Sequence, residues 1–192
     1  GLIALQTRDL RRRRFVFRPR PRIVAAIQQH IGALQQQLAA GRAILNLLST
    51  VDERTLVFFL LSGGGSALVE QPLAPAVKLA DMQLLNKVLV ECGAPIDEIN
   101  AVRKHLSAVK GGRLAVAAGG ALQVTLGVTD VPEGRESALA SGPTLPDPTT
   151  VQDACGVIAR YGLLPKLPAT LRAQFEHPES IPETPKAGNP AF

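Results

Sequence analysis

An α/β fold, organised as a three-layer α/β/α domain with a mostly parallel sheet, is predicted by two features of the sequence. A uniformly apolar, β-prone run occupies 55–61, an alternating run rich in Val, Leu and Thr occupies 121–128, and stretches of helical periodicity lie between and after them. Strands that read as continuous apolar runs belong to parallel sheets, because crossover helices cover both faces. The first run ends abruptly on Ser62-Gly-Gly-Gly-Ser66, a glycine turn at the carboxyl end of a strand, where ligands gather in open α/β sheets. The expected fold is therefore Rossmann-like. It is also incomplete, since two strands flanked by helices make a poor sheet by themselves.

The elements follow in order. Arg-rich text fills 8–22, where Pro19 and Pro21 forbid a helix. From 23 to 48, Ile23, Ala26, Ile27, Ile31, Leu34, Leu38, Ile44, Leu45 and Leu48 recur mostly at helical steps, predicting an amphipathic helix interrupted near Gly41. The strand at 55–61 should be covered on both faces. After Pro72 and Pro75, helices are expected over 79–92 and 95–107, separated at Gly93, and a third from near Gly111 to Gly119-Gly120. The strand at 121–128 runs into Thr129-Asp130, and 131–148 reads as a long loop. Thr150 with Asp153 three residues on predicts a capped helix to about residue 161. A last helix is expected over 168–175. Residues 1–37 form an arm outside the fold, 38–180 the domain, and 181–192 an extended Pro-rich tail.

The formal charge of +5 sits in the arm: residues 1–37 hold eight Arg against Asp9, whereas the remainder is net acidic. With aromatic residues at 4% and no Trp, the body offers few stacking platforms, so nucleic acid is not expected as a partner. No apolar run is long enough to span a bilayer. Cys92 and Cys155 lack CxxC spacing and read as small apolar residues in or beside helices, in a reducing, cytoplasmic setting.

Three segments carry chemistry. Glycines at 63, 64 and 65 let successive amides turn toward one point, an anion-binding nest to which the Ser62 and Ser66 hydroxyls can add; a turn that binds nothing is the bland alternative. Next, the run from Asn100 to Arg113 is basic. Arg103 and Ser107 share a helix face, an Arg can clamp a carboxylate, and Lys104 and Lys110 supply point charges suited to phosphate. His105 reads as structural. Last, Asp130 follows a strand, where a carboxylate can hold Mg²⁺ or accept a hydroxyl proton, and Ser141 stands in a small-residue turn able to face the same crevice.

Read together, LLSGGGSALVEQP (60–72), INAVRKHLSAVKGGRLA (99–115), VTDVPEGRESALASGPTLPDPTT (128–150) and DACGVIARYGL (153–163) resemble the glycerate 2-kinase family, the MOFRL type. The likeness covers roughly 38 to 177. It implies transfer of the ATP γ-phosphoryl group to glycerate with Mg²⁺, giving 2-phosphoglycerate and ADP. By the same resemblance, Ser62 to Ser66 match the glycine-rich loop, Arg103, Lys104 and Lys110 the basic segment, and Asp130 the acid of the S-D-V motif. Lys104 and Asp130 are then the catalytic candidates, Asp130 also the metal ligand, and Arg103, Lys110 and Ser141 the substrate contacts.

Three departures accompany it. Where the family has S-D-V-x-G-D, this chain reads Thr129-Asp130-Val131-Pro132-Glu133-Gly134-Arg135, which moves the second acid to Glu133 or Glu136 or removes it. No segment upstream matches the family's lysine-bearing G-F-G-K-A, and its C-terminal domain has no counterpart here. The implied partner is a small-molecule substrate, with a homodimer as the assembly to test. The expected chain is inactive alone, and a non-catalytic phosphate-ligand-binding domain is the alternative.

Overall fold

A computed structural model describes residues 2–7, 23–24, 34–62, 64–129 and 136–192. It shows a mixed α/β arrangement. Strands β1 (Leu2–Thr7), β2 (Ile23–Val24), β3 (Leu56–Ser62) and β4 (Leu122–Thr129) form a four-stranded sheet in the order β1-β4-β3-β2. The β2–β3 and β3–β4 pairings are parallel, with Leu56 opposite Leu122 and Ser62 opposite Val128; β1 runs antiparallel along β4. Both β1 and β2 fall within residues 1–37, so these pairings bring part of the head onto the sheet.

Helix α1 is described over Leu34–Leu48, whereas Ile23 and Val24, which the periodicity assigned to the same helix, extend along β3 instead. It also passes through Gly41 unbroken. A Cβ at that position would lie 2.5 Å from the Glu70 carbonyl oxygen, so the glycine allows the helix to approach a neighbouring segment closely. In this place it is a contact residue and not a helix breaker.

Helices α2 (Leu79–Glu91) and α3 (Ile96–Leu106) agree with the sequence reading, as do α4 (Arg113–Ala117), α5 (Val151–Arg160) and α6 (Ala169–Glu176). At the start of α5 the Thr150 hydroxyl accepts from the Asp153 amide at 3.1 Å, while the Asp153 carboxylate accepts from the Thr150 amide at 2.8 Å. That reciprocal cap is the one the Thr-x-x-Asp spacing predicted. The described part of the 131–148 loop holds a 3-10 turn, Glu136–Ser141.

Two apolar cores result. The larger joins α2, α3, α5 and α6 through Leu85, Leu89, Val102, Ala154 and Leu171; Cys92 and Cys155, half-buried, pack at its margin. A smaller core places Val57 and Phe59 of β3 beneath Leu48 of α1 and Leu114 and Ala118 around α4. Among the described residues, cover on both faces of β3 is not seen. Alternate positions point the other way, and Leu60 and Val128 are 45% and 64% exposed. The reason is one of supply: α1 and α4 lie over one face, while the remaining helices bury their apolar stripes against one another.

Residues 181–192 hold no helix or strand, and they form a strap against the body. The Asp147 amide donates to the Pro185 carbonyl at 3.0 Å, Arg113 donates to the Pro182 carbonyl at 2.8 Å, and Thr184 is buried.

Candidate functional site

Two sequence segments that are distant in the chain meet beyond the carboxyl end of β3. Gly64 is left-handed (φ 82°) with nothing near the place where a Cβ would stand, and it leads into the short turn Gly65–Ala67. That conformation is open to glycine at little cost. Opposite, Ala140, Ser141 and Gly142 adopt three successive left-handed conformations, with φ of 50°, 62° and 56°. Two of these are not glycine, and such strain persists only where the surroundings hold it.

Here they are held well. The Gly111, Gly112 and Leu114 amides donate to the carbonyls of Ser141, Gly142 and Pro143 at 3.0, 2.7 and 3.0 Å. These glycines serve that contact: a Cβ on Gly112 would lie 2.8 Å from the Leu145 carbonyl oxygen, and one on Gly111 would meet Thr184 and Lys104. The Lys-Gly-Gly text is thus a docking seam for the loop.

Side chains then bridge the two turns. The Ser66 and Ser141 hydroxyls are 2.7 Å apart, and Ser141 donates onward to Asn100 Oδ1 at 3.0 Å. Arg103, one turn along α3 from Asn100, donates from Nη2 to the Ser66 hydroxyl at 3.0 Å and carbonyl at 3.3 Å. Its Nε is buried without a partner among the described residues. Burial pushes the Arg103 guanidinium below its ordinary range and Glu70 opposes the fall.

A cleft of about 60 Å³ opens beside this network, lined in part by Ser62, Gly65, Ser66, Lys110 and Ala140. Ligand pockets usually run to roughly 300–1,000 Å³, so these residues form the wall of a cleft smaller than a usual ligand pocket.

Lys110 is buried in that wall, its Nζ donating to Glu70 Oε2 and to the Val69 carbonyl, both at 2.9 Å. The segment from Glu70 to Leu73 runs antiparallel to 106–108, with the Ala108 amide on the Gln71 carbonyl at 2.7 Å. This pairing brings Glu70 under Lys110.

Lys104 is placed elsewhere. Successive helix residues are about 100° apart around the axis, so while Arg103 reaches Ser66, Lys104 turns away and donates to Asp147 Oδ1 at 3.1 Å in a pair with side chains 4% and 0% exposed. Burial would raise the Asp147 carboxyl, but Lys104 and the Thr149 amide and hydroxyl outweigh it and hold it below the usual range. His105 is buried with Nδ1 donating to the Ala101 carbonyl at 2.7 Å, a structural placement. Gly63 and Asp130 lie outside the described residues.

The structure therefore assembles Ser62, Gly64, Gly65, Ser66, Arg103, Lys110 and Ser141 around one bend and separates Lys104 from them. It also adds Asn100 and Glu70 to the bend and gives Lys104 the partner Asp147, and sequence reasoning assigned none of these three a role. A signal existed for Asn100, which precedes Arg103 and Ser107 by three and seven residues and so shares their face. None marked Glu70 or Asp147, whose lysine partners are 40 and 43 residues away in sequence.

The family model described as a domain of unknown function, DUF4147, matches residues 6–176. The chain belongs to the DUF4147 family. That match begins within the head, further toward the amino end than the motifs alone carried the likeness. The chain is 48% identical over 129 residues to a D-glycerate 2-kinase of Thermotoga maritima, covering 67% of this chain and 31% of that protein. It is 45% identical over 157 residues to a protein of Agrobacterium vitis named as a hydroxypyruvate reductase, covering 82% and 34%. A crystal structure of a Pyrococcus horikoshii protein superposes with a TM-score of 0.75 at 38% identity, covering 82% of this chain and 36% of that one. The resemblance to MOFRL-type glycerate kinases is thus one of homology and fold, and the chain spans about a third of the length of the curated relatives it matches.

Proposed function

We propose that this chain supplies the phosphate- and substrate-binding wall of an ATP-dependent glycerate 2-kinase, as part of a three-layer, Rossmann-like domain whose further layer lies on the apolar face around Leu60 and Val128. One observation carries the reading. Arg103 ties the glycine bend to α3 through Ser66 and keeps a buried Nε without a protein partner among the described residues, beside a cleft that Lys110 also lines. Two cations at a glycine turn suit an anionic, phosphorylated ligand.

In the proposed reaction the 2-hydroxyl oxygen of glycerate bonds to the γ-phosphorus of ATP as the bond to the bridging oxygen breaks, releasing ADP. The glycine bend and Ser66 cradle phosphate, Arg103 and Lys110 hold carboxylate or phosphate oxygens, and Ser141 orients Ser66. Asp130 takes up the hydroxyl proton or holds Mg²⁺. Among the described residues no three acidic, histidine or cysteine side chains cluster as a metal site, and the roles given to Arg103, Lys110, Ser66 and Ser141 need none. When bound, Mg²⁺ would neutralise charge on the phosphates. The enzyme works in the cytoplasm, and a homodimer is the assembly to test.

A coupled assay of ADP release tests this. With ATP, Mg²⁺ and glycerate, a version extended to the length of its relatives should release ADP only when glycerate is present, and this chain alone should release none. Phosphate binding by the extended version without glycerate-dependent ADP release would leave a non-catalytic binding domain. Oxidation of NADH with hydroxypyruvate would instead favour the activity named for the Agrobacterium relative.

A further inference from the structure

We propose that Glu70 is a positioning residue of this wall, holding the Lys110 ammonium in place and charged at the cleft beside the glycine bend; this rests on the reading of that wall as a phosphate site. The geometry is specific. Glu70 Oε2 accepts from Lys110 Nζ at 2.9 Å, while Oε1 accepts from the Ser107 hydroxyl at 2.5 Å and from the Gln71 amide at 3.0 Å. With both oxygens engaged, the carboxylate cannot turn away. The Lys110 and Glu70 side chains are 2% and 8% exposed.

An ammonium has three protons. Two are given to Glu70 and the Val69 carbonyl, and among the described residues no other acceptor takes the third. Lys110 nonetheless borders the cleft with Ser62, Gly65 and Ser66. As a mere fastener a buried ion pair is weak, since apolar side chains of similar volume hold as well or better. A charge fixed on a cleft wall next to a glycine bend has a use that an apolar pair lacks.

Keeping that charge requires help. Burial lowers the Lys110 ammonium below its ordinary range, Glu70 opposes the fall, and Arg103 adds to it. Of the two charged groups acting on Lys110, Glu70 alone favours the protonated form. Ser107, at the end of α3, and the antiparallel segment at 70–73 exist in this structure as the frame that aims Glu70.

The test uses inorganic phosphate and this chain, with binding followed by phosphorus NMR from about pH 8.5 upward, well above the second ionisation of inorganic phosphate, so that the probe stays a dianion. Binding should weaken as pH rises through the titration of Lys110. Glu70→Gln should move that loss to lower pH by about one unit or more, a tenfold change in the protonation equilibrium. Lys110→Gln should abolish the pH dependence, and the double variant should bind no more weakly than Lys110→Gln, because Glu70 acts through Lys110. An unmoved profile in Glu70→Gln, independent multiplying effects in the double variant, or no phosphate binding by the unmodified chain would each overturn the proposal.

Should Glu70→Gln fail to fold, the carbon-13 Cε shift of Lys110 in the unmodified chain decides. It must report a charged ammonium near neutral pH that responds to added phosphate; a neutral amine, or a signal indifferent to phosphate, also overturns it. Failure of the kinase reading is separable. Glycerate-dependent ADP release with an unmoved pH profile removes only the role of Glu70, whereas a shifted profile without ADP release removes only the kinase.

Discussion

Arg103 and Lys104 are adjacent on α3 and part company in space, one reaching Ser66 across the bend and the other Asp147 behind it. A run of basic residues shows that charge is present, but the partner of each charge is a tertiary fact. Asp147 stands 43 residues from Lys104, so nothing local in the sequence could assign the pair. Its consequence is measurable. The Asp147 carboxyl sits below its ordinary value, so the pair stabilises the fold fully above the unfolded pKa of about 3.9 and loses that contribution as pH falls through the lower folded value. Asp147→Asn leaves Lys104 buried without its counter-charge and should cost about 3–5 kcal/mol near neutral pH. In urea titrations the gap between unmodified and variant proteins should narrow as the pH is lowered from neutral to below the unfolded pKa of about 3.9. A gap that is constant with pH would show that the pair contributes no linked stability.

Elements were more legible than side-chain partners, because periodicity and caps are local. The Thr150–Asp153 cap and the limits of α2 and α3 could be read directly, whereas α1 was overextended because Ile23 and Val24 fit an amphipathic helix as well as a parallel strand. Glycine is where local reading fails most clearly. Gly41 in α1 and Gly156 in α5 look alike in sequence, each a mid-helix glycine that should cost about 1 kcal/mol relative to Ala. Their surroundings differ: a Cβ at 41 would lie 2.5 Å from the Glu70 carbonyl oxygen and 3.0 Å from its carbon, while at 156 it would meet nothing within 4 Å. Gly156→Ala should therefore stabilise by about 0.5–1 kcal/mol, and Gly41→Ala should destabilise by about 1–3 kcal/mol, the usual cost of overpacking. Thermal melts of the two variants should move in opposite directions. A rise in both would mean that α1 does not press on the segment carrying Glu70.

At the scale of the molecule, the α/β class and the place of the glycine bend beyond β3 followed from strand chemistry, but the uneven cover of the sheet did not. An apolar run shows that a strand can be buried on both faces; whether helices are available to do so depends on where they find other partners. Here α2, α3, α5 and α6 bury one another, with Leu85, Leu89, Val102, Ala154, Leu163 and Leu171 at 0% exposure, while β3 and β4 keep Leu60 and Val128 in solvent. Beyond Val57, β3 is paired within the described residues only to β4, since β2 contributes just Ile23 and Val24. Local opening free energies follow buried contact and protected backbone. Native-state hydrogen exchange should therefore find the slowest amides in the mutually buried helices, at the global unfolding free energy, and distinctly faster exchange at 59–62 of β3. The glycine bend, which hangs from the end of β3, would then move with the less stable unit, while Arg103 and Lys110 anchor it to the more stable one through Ser66 and Val69. Exchange at 59–62 as slow as that of α3 would place the bend on a single rigid body and remove this division.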